Sequence, residues 1–158
     1  MSRRNGRKIM KHTRTRIALV LLEVFVALGA VAGGIGLLTG AIPVPLHALQ
    51  GSPFVDYAVP ALALMVLVGG GMFFAAATIF TGREMGVLAS AFAGLAMMIF
   101  EMVEVAVIDR MGGSELVMGV ALQSFYFALG LAIFVLSCFL WMTEYRSHHF
   151  PTRHISHA

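Results

Sequence analysis

The stretch Met85 to Ile108, MGVLASAFAGLAMMIFEMVEVAVI, decides the fold. It is apolar for longer than the roughly 20 residues that a helix needs to cross a hydrocarbon core of about 30 Å, and it contains no Lys, Arg or Asp. Its two exceptions are Glu101 and Glu104. At 100° per residue, Gly86, Ser90, Ala93, Gly94, Met97, Glu101 and Glu104 project within an arc of about 100°. The carboxylates therefore share the face of a small-residue stripe. Small residues let helix backbones approach closely, so both acids are expected to point into a bundle or cavity and away from lipid.

Three further stretches have the same character, about 17–38, 57–80 and 116–142. The chain as a whole agrees: of 158 residues, 59% are hydrophobic and 12% charged, with a mean hydropathy of +0.87. So few charges cannot cover a water-facing surface. The expected fold is all-α, an integral membrane four-helix bundle. Residues 1–16 are expected to form a basic cytoplasmic leader, 17–142 the four-transmembrane-helix domain, and 143–158 a His-containing cytoplasmic tail. The first apolar run is too long for a cleaved secretory signal, which has 7 to 15 apolar residues, and LTGAIPV is a poor cleavage site.

Orientation follows from the basic residues. Arg3, Arg4, Arg7, Lys8, Lys11, Arg14 and Arg16 precede the first span, Arg83 lies between the second and third, and Arg146 and Arg153 follow the fourth. Arg110 alone falls on the other side. By the positive-inside rule both termini are cytoplasmic, and loops 39–56 and 109–115 are external. The expected location is the bacterial inner membrane. The pI near 9.5 then reflects topology and anionic lipid headgroups, with no nucleic-acid partner.

The TGRE turn makes the second and third helices antiparallel neighbours. The loop GAIPVPLHALQGSPFVDYAVP, rich in Gly and Pro, is expected to lie on the bundle as a cap. Pro60 falls in the first turn of the second span, where its missing N–H costs nothing. Gly29 and Gly33 in the first span, with Gly86, Ser90 and Gly94 in the third, are the expected helix-packing positions. Through such faces the chain is expected to associate with itself or with another membrane protein.

Rising about 1.5 Å per residue from Met85, Glu101 lies roughly 24 Å and Glu104 roughly 28 Å along the third helix. Gln123, Ser124 and Tyr126 of the fourth span reach a similar depth. Glu101, Glu104, Gln123, Ser124 and Tyr126 are thus expected to form an outer-leaflet polar cluster, with His47, Asp56 and Arg110 above it. Two carboxyl groups three residues apart in a low dielectric are expected to share one proton. An intramembrane acid is costly, which makes it a functional candidate. The competing expectation pairs Glu104 with Arg110 and Glu101 with Gln123 as helix glue. Glu23, on a stripe with Ala27, Ala30 and Gly34, is a second candidate some 15 Å deeper, expected to pair with Arg16 or Arg83.

No cofactor is expected. The single Cys138 excludes an intrachain disulfide and a CxxC pair. The eleven Met residues read as flexible core filler rather than a copper array. His148, His149, His154 and His157 could hold Zn, Ni or Cu weakly in a folded tail, but a disordered tail is expected. Neither GxSxG nor HExxH occurs, and no catalytic residue is assigned.

The strings LQGSPFVDYAVPALAL (49–64), EVAVI (104–108) and LQSFYFALG (122–130) resemble a group of small four-helix bacterial membrane proteins without a settled activity. LLEVFVALG (21–29) is similar to the first-helix Glu region of small multidrug resistance transporters. That resemblance implies a proton-exchanging role for Glu23. The first expectation for function is an accessory or partner-binding membrane protein of unknown process; the alternative is a proton-coupled small-molecule or ion carrier using these carboxylates.

Overall fold

The computed structural model describes residues 2–81, 84–108 and 114–144, with side chains for 13–81, 84–106 and 119–144. The four expected helices are present: Ser2–Thr39, a second built from Ala58–Ala63, Leu64–Gly70 and Gly71–Ile79, a third at Glu84–Ile108 and a fourth at Ser114–Glu144. Each contains a segment long and apolar enough to cross a membrane. The chain is an all-α, multi-pass membrane protein. The first helix begins at Ser2, so the basic leader continues it without a break. The His-containing tail, with His148, His149, His154 and His157, lies outside the described residues, as do Arg83 and Arg110.

Sequence neighbours pack side by side, and the fourth helix closes the ring against the first along the thinnest of the four seams. Residues 13 and 144 therefore lie at one end, the terminal end, and the 40–57 connection at the other, the loop end. Large apolar side chains face outward: Leu21, Phe74 and Phe92 are 66%, 65% and 69% exposed. Such a surface is stable in lipid and not in water.

Close packing follows the small residues. A Cβ on Gly86 would lie 2.5 Å from the carbonyl oxygen of Thr78, and one on Gly94 would lie 2.8 Å from that of Gly130. The second, third and fourth helices thus cross with backbones in contact. Gly29 lies against the Tyr126 hydroxyl and Gly33 against Leu64. The glycine faces through which self-association was expected are in large part occupied within the chain.

The second helix departs from the α pattern over Leu64–Gly70, where it widens into a π-helix. Widened turns of this kind are rare and frequent at functional sites. Its start is set by Asp56, whose carboxylate accepts the Ala58 N–H at 2.9 Å, meeting one of the unpaired donors of a helix N-terminus.

The 40–57 connection lies on the bundle. Gly40, at φ +74°, ends the first helix in the left-handed conformation that glycine adopts without a Cβ penalty, and the Ile42 N–H donates back to Gly36 at 3.1 Å. Gly36 is needed there because the Ile42 side chain fills the space that a Cβ would take. A short 3-10 turn, Leu46–Leu49, buries Ala48 and Leu49, and the Tyr57 hydroxyl donates to Pro45 at 3.0 Å.

Candidate functional site

Under that connection the bundle is hollow. A cavity of about 580 Å³ opens between the first, third and fourth helices, floored by Val26, Ala30 and Met97 and roofed by Ile42 to Pro45. Glu101, Glu104, Gln123 and Tyr126 line it together. Helix periodicity accounts for the convergence: three residues separate the two acids on one face, and antiparallel packing brings the fourth helix to the same level.

Glu101 is buried, at 5% exposure, and its carboxylate lies close enough to that of Glu104 for the two to interact electrostatically. Gln123 lies beside Glu104. At 5% exposure, both its amide oxygen and its amide nitrogen lack a hydrogen-bond partner among the described residues. A buried amide left unpaired costs about 1–3 kcal/mol. Tyr126 is held by Phe125, at 5.5 Å between ring centroids, which meets Phe25 of the first helix edge to face at 6.5 Å.

A second cavity of about 570 Å³ adjoins the first. Leu37, Val44, Val68 and Glu104 line both, so Glu104 stands at the junction of two apolar lobes.

Three expected members of the cluster stand apart. Ser124 is exposed and is not part of the lining, because it is one residue, or 100°, round the helix from Gln123. His47 is exposed on the 3-10 turn, and the Asp56 carboxylate accepts the Ala58 N–H just ahead of the second helix. The expected Glu101–Gln123 hydrogen bond is not formed, and the carboxylate beside the Gln123 amide is that of Glu104.

Glu23 occupies a different place. It is completely buried, faces Ser90, and neither of its oxygens has a hydrogen-bond partner among the described residues. The Ser90 hydroxyl donates to the Gly86 carbonyl at 3.1 Å. The expected pairing of Glu23 with Arg16 is replaced: Arg16 donates to the Ile79 carbonyl at 2.8 Å and to Glu144 at 2.5 Å. One helical turn separates Glu23 from Val26 and Ala27, so the cavity floor lies between Glu23 and the paired acids.

Periodicity pointed to the acids and depth along the helices to Gln123 and Tyr126, but neither pointed to the lining contributed by Ile42 to Pro45, nor to Gly130, which meets the third helix closely. The Gly and Pro of the loop were the signal for a cap; its inward face depends on Gly36, which no local pattern marks. Among the described residues no group of three or more His, Cys, Asp or Glu could hold a metal ion.

No protein-family model, curated protein or solved structure matches this chain.

Proposed function

We propose that this chain is a small-molecule carrier of the bacterial inner membrane, coupled to protons through Glu101 and Glu104. The observation that supports the reading is the 580 Å³ cavity lined by Glu101 and Glu104 together. Ligand pockets are mostly apolar spaces of about 300–1,000 Å³ with a few convergent polar groups. An accessory protein held together by polar helix contacts would close its carboxylates against partners, and it needs no interior space. The Lys and Arg at the terminal end support cytoplasmic termini by the positive-inside rule, and in that orientation the cavity half lies in the outer leaflet.

The test uses vesicles containing the purified protein and a trapped pH-reporting dye. A solvent extract of bacterial membranes, added outside, should drive proton movement that stops in the Glu101→Gln, Glu104→Gln double variant and persists in Ser124→Ala. Proton movement unchanged in the double variant would contradict the reading.

A further inference from the structure

The second and third helices form a hairpin that is shut at one end and hollow at the other. A Cβ on Gly86 would lie 2.5 Å from the Thr78 carbonyl oxygen, so the two backbones touch near the terminal end. Toward the loop end the second cavity, of about 570 Å³, lies between them, beside the widened turns of Leu64–Gly70 and under the 3-10 turn, which packs against the third helix. We infer that this cavity binds one hydrocarbon tail of a phospholipid, which enters sideways from the bilayer between the second and third helices.

The chemistry of the lining is the first argument. Among the described residues its polar side chains are those of Tyr57 and Glu104. The Tyr57 hydroxyl is already bonded to the Pro45 carbonyl at 3.0 Å, and Glu104 is shared with the first cavity. The rest is hydrocarbon, including Leu49, Ala63 and Phe100. Apolar cavities stay dry and take apolar guests, and an unfilled space forfeits the dispersion contacts of its walls. A lipid tail meets both conditions.

Access is the second. Val59 and Leu67 of the second helix, with Ile99 and Val103 of the third, line the cavity and are each more than half exposed. They belong equally to the outward apolar surface that this membrane protein turns to lipid, so the cavity is continuous with the bilayer. The 40–57 loop closes it from above, with Ala48 and Leu49 buried in its lining. A headgroup therefore stays outside while a tail passes in from the side.

Length is the third. Along the third helix the lining runs from Ala96 to Val103, and along the second from Val59 to Leu67. At 1.5 Å per residue these are spans of about 10 and 12 Å, most of the roughly 15 Å of hydrocarbon in one leaflet. The long direction of the groove thus follows that of a tail. Ala63 and Ala96 contribute only methyl groups to the walls, which leaves room for it.

The test places the purified protein in vesicles of a phosphatidylcholine that carries a photoreactive diazirine midway along one tail. Illumination attaches the lipid to neighbouring residues, and peptide mass spectrometry maps the adducts; a lipid with the diazirine in its headgroup is the control. The tail probe should label Leu49 and Phe100, and the headgroup probe neither. Both adducts should be lost in Ala63→Phe and in Ala96→Phe, which fill the groove from the second and third helices. Adducts on the outward Leu21 and Phe74 should persist in each variant and report correct insertion. Tail adducts confined to outward residues of the wild type would overturn the inference, as would cavity adducts that survive in a correctly inserted variant or equal labelling by the headgroup probe. The wild-type map decides alone if neither variant folds. Proton movement by the carboxylates is read separately, so the carrier reading stands or falls on its own test.

Discussion

The terminal half and the loop half of the bundle use the same kinds of residue and close very differently. At the terminal end, Arg16 joins the end of the second helix to Glu144 of the fourth, and the Trp141 indole N–H donates to Glu84 at 2.7 Å. Above these, Gly86 and Gly94 bring backbones into contact, and Glu23 is sealed in. At the loop end one cavity opens where the first, third and fourth helices meet and a second lies between the second and third helices, and the 40–57 loop covers both. At the closed end two side-chain pairs bind across helices while Glu23 is buried without a hydrogen-bond partner among the described residues, whereas Glu101 and Glu104 at the open end line a cavity. A membrane protein of this size has no need of a hollow for stability, since voids forfeit packing.

The contrast breaks most readily at glycine. Gly94→Leu must displace the backbone of the fourth helix, because even a Cβ would lie 2.9 Å from the Phe134 nitrogen. Overpacking of this kind should cost about 3 kcal/mol. Gly119 lines the first cavity, so Gly119→Leu should change stability by less than about 0.5 kcal/mol. Thermal unfolding in detergent checks both, and equal losses would mean that the two halves are equally packed.

The clamp at the terminal end should be worth less. Arg16 and Glu144 side chains are 22% and 18% exposed, so Arg16→Met should cost about 1–2 kcal/mol. A double-mutant cycle with Glu144→Gln should return a positive coupling energy, and additive effects would show that the pair does not join the helices.

The smallest expected effect is in the roof. Tyr57→Phe removes the hydrogen bond to Pro45 and should cost about 0.5–1 kcal/mol. Burial pushes the Tyr57 phenol above its ordinary value, and the neutral hydroxyl is the donor. The difference between wild type and Tyr57→Phe should thus be full below the unfolded phenol value of about 10 and vanish as pH rises through the higher folded value. A difference that grows at alkaline pH would contradict this.

The fold was legible because lipid imposes a coarse code: long apolar runs, short basic turns and small residues on one helical face. Glu101, Glu104, Gln123 and Tyr126 could be brought to one level by counting 1.5 Å per residue along antiparallel helices. Ser124 shows the limit of that count, since depth alone does not fix the face on which a neighbour lies. The hollow itself was not legible. It lies beside the thin seam between the first and fourth helices and the widened turns of Leu64–Gly70, which depend on packing between distant segments. Pairing of Glu23 with Arg16 was expected because their spacing along the helix allows it, whereas Glu144, far away in sequence, takes that arginine.

The most direct test of an open half above a closed one is carboxyl labelling. The apolar reagent dicyclohexylcarbodiimide reaches carboxyl groups from the lipid phase, and peptide mass spectrometry locates its adducts. In protein embedded in vesicles the account predicts labelling of Glu101 or Glu104 and none of Glu23, with the adduct lost in the Glu101→Gln, Glu104→Gln double variant. Labelling of Glu23 with both cavity acids untouched would contradict it.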